Sequence, residues 1–440
     1  MKPLCAAPFI GFFYKGSRRE IRPCCESRWY DNNNEPPGLY GVDDNITWEE
    51  IWHSDKMKDI RKSLLNGEYH SACHYCKKLE DKNMPSTNIG NKVVYGARHF
   101  YNNIANNTIE PLFGELKYNV DTGTQFDAPF WLDVRFHNLC NLKCRMCNTS
   151  NSSEWAEEIN DNLELYTTLS EITNNYINPH PWKDLYNKNK VDDIIIDKVP
   201  KDKLVKVKML GGEPTIQKEV HELLKILQTS PNSNNINLNF TTNVTNVNRK
   251  FATLLNNFDV VHLQMSLDGI GKWHDYIRSP SKWKSIEKNI DFIMNKMDLP
   301  DTKEISFGMT FVIQMYNIFG FEDFLGMAIN ARRGPTKNKM NNILMTPCEQ
   351  YYLDVAMLKD HHKEILLKRI EIFENKMELD NVEKELTTNK LKIMLSNWMN
   401  KDNKTVDEAR STFKRFTTVV DSVRETQLKD LDVNLKEYVE

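Results

Sequence analysis

Three cysteines within one short stretch are the residues best suited to do chemistry. Cys140, Cys144 and Cys147 can converge on a single metal centre from one loop, because only three and then two residues separate them. A structural metal site normally has four protein ligands, whereas three thiolates on an iron–sulfur cubane leave one iron open to another ligand. With no fourth cysteine nearby, the spacing favours a catalytic centre over a structural zinc loop or a reactive-thiol loop.

The thiols follow the first of several strand signals that alternate with helix signals from Pro129 onward. The predicted strands are Trp131–Phe136, Leu204–Leu210, Ile236–Thr242, Val260–Leu267, Ile305–Ile313 and Asn342–Met345. The predicted helices between them are Ser153–Leu165, Gln217–Thr229, Arg249–Asn257, Ser285–Met297 and Phe321–Asn330. Such alternation implies parallel pairing and an α/β fold, an open, partial (β/α)6 TIM-like barrel whose ligands gather at the carboxyl ends of the strands.

The chain divides into three predicted parts. Residues 1–125 are expected to form an irregular N-terminal module, residues 126–346 the barrel and residues 347–440 a helical C-terminal extension. One helix is predicted in the first part, from Trp48 to Leu65, because Thr47 is a suitable N-cap and Gly67 follows the end. Residues 166–200 are a polar insertion that the pattern does not place. The charged faces of the last helices leave two alternatives, packing on the barrel or binding a partner.

Composition excludes some classes of function. The formal net charge of −3 gives no basic surface for bulk nucleic-acid binding, and no apolar run approaches the length of a membrane span. The apolar N-terminus is interrupted by Pro8 and lacks a small-residue cleavage site, so a signal peptide is not expected. The predicted location is cytoplasmic. In that reducing compartment, nine cysteines at tight spacings indicate metal binding in preference to disulfides.

The spacing Cys140-x-x-x-Cys144-x-x-Cys147, with Met146 before the last cysteine, resembles the signature of the radical S-adenosylmethionine (SAM) superfamily. The resemblance implies that the three thiolates hold a catalytic 4Fe–4S cluster. It also implies that the open iron takes the amino and carboxylate groups of SAM, and that an electron from the cluster cleaves SAM to a 5′-deoxyadenosyl radical.

The same resemblance implies contacts to SAM at the ends of later strands. Glu213, in the sequence Gly-Gly-Glu-Pro, would accept hydrogen bonds from the SAM ammonium, and the guanidinium of Arg278 suits its carboxylate. Taken singly, the other matches could equally be turns, solvated charges or plain core. The implied cofactor-binding residues are Met146, Gly211, Gly212, Glu213, Pro214, Thr242, Asn243, Ser266, Asp268, Arg278 and Ile313.

A second group of thiols lies near the N-terminus. The group resembles the twitch/SPASM-type auxiliary cluster module of radical SAM enzymes, placed before the barrel instead of after it. The resemblance implies an auxiliary 4Fe–4S cluster; its four ligands are Cys5, Cys24, Cys73 and Cys76, with Cys25, His70 and His74 as substitutes. Zinc in the same four ligands is the alternative, because thiolates suit both metals. Cys348 stands alone and is expected to be a buried apolar thiol.

The predicted function is reductive cleavage of SAM followed by hydrogen abstraction from a substrate. Family analogy favours a peptide or protein side chain as substrate, with small molecules as the alternative, and implies a reductant such as flavodoxin or ferredoxin. Two other hypotheses stay open: a non-catalytic zinc or iron–sulfur interaction protein, and a family member that has lost turnover. Abundant iron and acid-labile sulfide would favour the enzyme over the interaction protein.

Overall fold

The computed structural model describes residues 2–16, 20–27, 40–41, 47–81, 96–125, 128–170, 173, 196, 200–397 and 404–440. The strands in these ranges are β1 (Gly11–Lys15), β2 (Glu20–Arg22), β3 (Tyr40–Gly41), β4 (Trp131–Arg135), β5 (Lys206–Met209), β6 (Asn237–Thr242), β7 (Val260–Ser266), β8 (Glu304–Ile313) and β9 (Lys339–Pro347). They form one sheet in the spatial order β3-β2-β1-β4-β5-β6-β7-β8-β9.

The sheet is mostly parallel and open. Every pairing from β1–β4 through β8–β9 is parallel, and only β1–β2 and β2–β3 are antiparallel. Because the order is linear, β3 and β9 lie at the two edges of the sheet that the described residues form. The six predicted strands are present as β4 to β9. The prediction of an α/β fold with an open, partial barrel is confirmed.

Helices cover the outer face of this sheet and build the two ends of the chain. In the described ranges the α-helices are α1 (Ala7–Ile10), α2 (Trp48–Trp52), α3 (Asp55–Leu65), α4 (His74–Asp81), α5 (Gly96–Ile104), α6 (Glu110–Phe113), α7 (Ser153–Asp161), α8 (Leu163–Ser170), α9 (Lys218–Gln228), α10 (Arg249–Thr253), α11 (Lys272–Ile277), α12 (Trp283–Asp291), α13 (Phe321–Arg333), α14 (Asp360–Lys376), α15 (Asn381–Leu386), α16 (Thr388–Ser396) and α17 (Val406–Arg424). None of these helices is long and apolar enough to cross a membrane.

Alternation along the strands explains how the sheet acquires two different faces. The ring of Phe240 in β6 meets the edge of Phe251 in α10, with 5.6 Å between centroids, and Phe311 in β8 packs on Phe324 in α13. Neighbouring residues in a strand point to opposite faces. Asn239 therefore lies on the other face, away from the helices, and the polar residues of β5 to β8 follow the same alternation. The apolar core lies between the sheet and the helices.

The sequence patterns did not predict β1 to β3. These strands are five, three and two residues long, and β1 is buried along nearly its whole length, so it lacks the alternation that identifies a half-exposed strand. β1 pairs in parallel with β4, with Phe13 opposite Asp133. The N-terminal segment is thus hydrogen-bonded across the predicted boundary near residue 125, and the domain division itself stays a prediction.

Most predicted helices are present, with shifted ends. The helix predicted from Trp48 to Leu65 is two helices, α2 and α3, because the Ser54 hydroxyl accepts a hydrogen bond from the backbone of Met57 and starts a new helix. Thr47 is the N-cap of α2, as predicted. The helix predicted over Ser153–Leu165 likewise ends early and continues as α8. Most of the predicted insertion at residues 166–200 lies outside the described residues.

The C-terminal part is helical, as predicted, and it packs against the barrel. Tyr316, which follows β8, lies 5.2 Å from Phe413 of α17 between ring centroids. Phe416 of the same helix stacks on Trp155 of α7, at 6.5 Å. Both phenylalanines are fully buried. Of the two alternatives, packing on the barrel or binding a partner, α17 therefore follows the first, because its apolar face is part of the main core.

Candidate active site

The three central cysteines lie on a loop that follows β4 and is fixed by the start of α7. Cys140 N donates to Ser153 Oγ (3.2 Å), which in turn donates to Cys140 O (3.0 Å). Trp155 Nε1 donates to Cys144 O at 2.6 Å. Side chains at the start of α7 thus hold the backbone of both cysteines and fix the path of the thiol loop (residues 140–147).

The opposite side of the thiol loop is held by the segment after α11. Lys143 N donates to Ser279 O at 2.8 Å, and Arg145 N donates to Ile277 O at 2.9 Å. Main-chain hydrogen bonds thus join the loop to the end of α11 and the residues just after it. Because the loop follows β4, its side chains lie at the carboxyl edge of the sheet.

The three central thiols form an all-sulfur donor set. Among the described residues, the one group of three metal-ligand side chains whose donor atoms all lie within 4.8 Å of one another is His361, His362 and Glu437. Thiolates suit both an iron–sulfur cluster and zinc.

Burial keeps these thiols protonated in the absence of a metal. Desolvation raises the pKa of Cys147 to about 12, with the neighbouring Cys144 adding to the effect. It also raises the pKa of Cys140, where Cys144 and Glu213 act in the same direction. A metal centre would replace these protons and supply the positive charge that the buried thiolates lack.

The Gly-Gly-Glu motif after β5 is docked directly onto the thiol loop. Glu213 N donates to Leu139 O at 2.7 Å, which places the motif beside the residue that precedes Cys140. Gly212 has φ +56°, and a Cβ built on it would lie 2.2 Å from Leu139 O. The close approach therefore requires glycine for both its conformation and its missing side chain.

Replacing Gly212 by alanine is expected to destabilise this contact strongly. Gly67→Ala is the control, because Gly67 has φ +77° at the end of α3 and no atom within 4 Å of the added Cβ. Both variants lose about 1–2 kcal/mol to the left-handed conformation, and only Gly212→Ala adds a steric cost of roughly 1–3 kcal/mol. Urea denaturation of the two variants measures the difference in unfolding free energy. Equal values would show that the backbone gives way without cost.

Glu213 is a buried carboxylate in a ring of donors. Its Oε1 accepts from Thr215 Oγ1 and Thr242 Oγ1, both at 2.7 Å, and its Oε2 accepts from Asn243 N at 2.6 Å. Burial raises the pKa of Glu213, and these hydrogen bonds oppose the shift. Oε2 has one donor among the described residues, so it retains a free lone pair. The carboxylate is fixed in orientation and can still accept a further donor.

Thr215, Thr242 and Asn243 form the Glu213 cradle, and Asn243 joins this cradle to the thiol loop. Its Nδ2 donates to Asn141 Oδ1 at 2.9 Å and lies 3.8 Å from Cys140 Sγ. The next residue, Val244, has φ +67°, a strained value for a β-branched side chain, and its backbone N donates to Thr242 Oγ1. In the structure, Thr242 and Asn243 thus orient Glu213 and Cys140.

Arg278 and Asp268 form a buried ion pair next to Cys144. Arg278 Nη2 donates to Asp268 Oδ2 at 2.5 Å, and its Nη1 lies 3.6 Å from Cys144 Sγ. Asp268 Oδ1 also accepts from Val312 N at 2.7 Å. The guanidinium therefore contacts a proposed ligand sulfur, which is a closer link to the thiols than the sequence implied. Its expected pairing with a SAM carboxylate stays a prediction.

The remaining expected residues lie at the same edge. Ser266 ends β7 opposite Thr310, and Ile313 ends β8 and is buried. Met146 is half-buried, and its carbonyl accepts from Gln350 Nε2 at 2.6 Å. Pro214 begins a short turn of 3-10 helix after Glu213. One edge of the sheet thus brings together all the central residues that the sequence singled out.

Residues 134–313 match the family model described as the Radical SAM superfamily. The chain contains a radical SAM domain. The match begins within β4 and ends with β8, so it includes the thiol loop, the Glu213 cradle and the Arg278–Asp268 pair. Radical SAM proteins use a 4Fe–4S cluster and SAM, and the family therefore implies both for this domain.

Likeness to solved structures is remote. SuiB of Streptococcus suis bound to S-adenosylmethionine is 13% identical, over 74% of this chain and 62% of that chain, with a TM-score of 0.33. SuiB bound to precursor peptide SuiA gives 12% identity, 74% and 65% coverage and a TM-score of 0.32. TYW1 with a lysine-pyruvate adduct is 17% identical, over 54% of this chain and 70% of that chain, with a TM-score of 0.27. This chain thus spans less than two thirds of either SuiB chain. No curated protein matches it.

The N-terminal cysteines predicted as one ligand set also meet, on the N-terminal side of the radical SAM domain. Cys5, Cys24, Cys73 and Cys76 line a single cavity, together with the rings of Tyr69 and Tyr101 and the side chain of Arg98. Burial raises the pKa of Cys5 to about 12 and that of Cys73 to about 11. Tyr101 packs edge-on against Trp131 of β4, at 6.1 Å between centroids. The cavity is thus attached to the first strand of the radical SAM domain.

The proposed substitutes point elsewhere. The His70 ring accepts from Ala72 N through Nδ1 and pairs with Asp59 through Nε2. His74 is exposed, and neither it nor Cys25 is among the residues that line the cavity. Cys348 is buried, as expected, and its Sγ lies 2.7 Å from Gln350 Oε1.

Sequence reasoning missed several residues that shape the site. Asn141 and Trp155 orient the thiol loop, and Arg145 carries a buried charge inside it. A signal existed only for Arg145, because a charged residue between two candidate ligands must find a counter-ion or remain solvated.

Proposed function

We propose that this chain is a radical SAM enzyme that cleaves S-adenosylmethionine reductively and abstracts hydrogen from a substrate. The observation that carries the proposal is that two motifs lie side by side. The thiol loop offers three ligands, which would leave one iron of a cluster open, and Glu213 contacts that loop through its hydrogen bond to Leu139 O. A structural metal loop has no need of a buried, oriented carboxylate beside it. The carboxylate also caps the turn that follows it, since its Oε1 accepts from Thr215 N, and its Oε2 still has a free lone pair.

The proposed roles follow from the geometry of each side chain. Cys140, Cys144 and Cys147 would hold a 4Fe–4S cluster. When bound, the cluster and SAM supply the electron and the 5′-deoxyadenosyl group for hydrogen abstraction. Glu213 would accept hydrogen bonds from the SAM ammonium through its free lone pair, and Arg278 would place positive charge beside Cys144.

A peptide or protein side chain is the proposed substrate class, and a flavodoxin or ferredoxin the proposed reductant. Both come from the family resemblance. All nine cysteines are unpaired, which supports a reducing compartment and the proposed cytoplasmic location.

Anaerobic reconstitution with iron and sulfide, followed by dithionite and SAM, tests the proposal. We expect 5′-deoxyadenosine to form, detected by mass spectrometry, and a brown protein with acid-labile sulfide. A preparation that binds zinc alone would support the interaction-protein hypothesis. A preparation that holds iron and binds SAM, and yet forms no 5′-deoxyadenosine, would contradict the proposed activity.

We further propose that Cys5, Cys24, Cys73 and Cys76 hold an auxiliary 4Fe–4S cluster. The four thiols share one buried cavity, and Arg98 at its wall pairs with Glu80 at 3.0 Å. The proposed twitch/SPASM-like character of the module rests on the sequence resemblance alone.

The double variant Cys73→Ala/Cys76→Ala is expected to separate the two clusters. Iron should fall from about eight to about four atoms per chain, while SAM cleavage persists uncoupled from any substrate. Cys348→Ala is the control, because its thiol is buried and lies outside the cavity. Iron analysis and the 5′-deoxyadenosine assay give the result. Loss of all SAM cleavage in a variant that stays folded would refute separate roles for the two sites.

A further inference from the structure

The C-terminal helix α17 reaches the thiol loop through a buried arginine. The Arg145 side chain is fully buried, and its guanidinium lies 3.7 Å from the centroid of the Tyr276 ring. Its Nε donates to Tyr276 O at 3.1 Å, and its Nη2 donates to Thr426 Oγ1 at 2.8 Å and to Asp421 Oδ1. Arg145 follows Cys144 directly, so this pairing fixes the backbone next to a proposed cluster ligand.

Asp421 is held in place for this ion pair. Its Oδ1 also accepts from Tyr276 OH and Thr426 Oγ1, and its Oδ2 accepts from Leu428 N, each at 2.8 Å. The side chain is 13% exposed, so solvent screens the pair weakly. Every bond orients the carboxylate toward Arg145. A residue that only capped the last turn of α17 would not need the first two.

A second ion pair connects α17 to the residue before Cys144. Arg424 donates to both carboxylate oxygens of Glu158, at 2.9 to 3.1 Å, and Lys143 Nζ lies 2.5 Å from Glu158 Oε2. Arg424 also lies over the Trp155 ring, 4.6 Å from its centroid. Trp155 in turn holds the carbonyl of Cys144. Both neighbours of Cys144 are thus tied to the same turn of the same helix.

We propose that α17 is a clamp that positions Cys144 and sets the electrostatic surroundings of the cluster. The inference rests on the proposed function, in which Cys144 is a cluster ligand. Asp421 and Arg424 are positioning residues: they act through Arg145, Lys143 and Glu158. The clamp gives the C-terminal part of the chain a role in the redox chemistry of the radical SAM domain.

Charge balance makes Asp421 more than a packing residue. Two guanidinium groups belong to this region: that of Arg278, 3.6 Å from Cys144 Sγ, and that of Arg145, the residue after Cys144. Each has one carboxylate partner, Asp268 or Asp421. Charges buried in a low dielectric interact over several ångströms. Loss of the Asp421 charge would leave Arg145 uncompensated and favour the more negative, reduced form of a cluster. The midpoint potential would therefore move to a more positive value.

Asp421→Asn in the full chain tests the clamp by two measurements. In the metal-free protein, we expect hydrogen exchange of the amides of residues 140–147 to become about tenfold faster. In the reconstituted protein, the EPR signal that responds to SAM should titrate at a more positive potential. Asp421→Glu should restore both. Asp407→Asn is the control, because Asp407 is in the first turn of α17 and its side chain is 93% exposed.

Each outcome decides the inference. Unchanged exchange and an unchanged potential in Asp421→Asn would overturn the clamp. If Asp421→Asn fails to fold, Thr426→Val is the second test, because it removes one hydrogen bond to Arg145 and one to Asp421. It should raise the exchange rates of residues 140–147 to a smaller extent. Unchanged exchange in Thr426→Val would also overturn the clamp. A wild-type protein that holds no iron at the thiol loop would defeat the proposed function, while the exchange measurement would still test the clamp.

Discussion

Replacing Cys140, Cys144 and Cys147 together by alanine is expected to abolish the formation of 5′-deoxyadenosine. The three thiols lie on one buried loop, and no other cysteine takes part in it. With alanine at these positions, the loop has no group able to hold an iron ion, so no electron can reach bound SAM. Liquid chromatography with mass spectrometry should place the product below detection, against clear turnover in the wild type.

The control for this variant is Cys348→Ala. Cys348 is as buried as Cys140 and stands after β9. Its thiol hydrogen-bonds to Gln350, so its replacement should leave turnover intact. About four iron atoms per chain should remain in the triple variant, bound at the N-terminal site. Full iron content in the triple variant, or turnover above background, would contradict the ligand assignment.

The barrel could be predicted from the sequence because its strands are bounded and separated by clear signals. β6 alternates between asparagine or threonine and buried apolar residues, and a turn with Gly211 and Gly212 follows β5. The strands β1 to β3 could not be predicted in this way. They are short, and β1 is a strand because it pairs with β4, more than a hundred residues later in the chain. Pairing at that distance leaves no local signal.

The same limit applies to the polar contacts of the site. The motifs identified Glu213, Thr242 and Asn243 as residues at strand ends. They could not show that Thr242 and Asn243 donate hydrogen bonds to Glu213. Asp421 lies 276 residues from Arg145, and neither residue alone suggests the other. Residue types and spacing thus identified the candidate ligands. The groups that orient them are set by tertiary packing.

Glu213→Gln is expected to weaken SAM binding roughly 10- to 100-fold, because a hydrogen bond to a charged group contributes about 1.5–3 kcal/mol. The substitution keeps the volume of the side chain. Its amide oxygen can still accept from Asn243 N, and the hydroxyls of Thr215 and Thr242 can rotate to accept from the new amide. The one hydrogen bond lost is the long one from Thr215 N, at 3.2 Å. The fold of the cradle should therefore survive. What disappears is the negative charge that faces the ammonium.

Equilibrium dialysis with labelled SAM, on anaerobically reconstituted protein, measures this effect. Iron content should equal that of the wild type, which distinguishes lost cofactor binding from a damaged cluster. Glu222→Gln is the matched control, because Glu222 is on α9 nearby and exposed. If Glu213→Gln bound SAM as tightly as the wild type, the buried carboxylate would serve only to join β6 to the thiol loop. In that case Thr242→Val, which removes a donor to Glu213 and leaves its charge, should be as harmful to stability as Glu213→Gln.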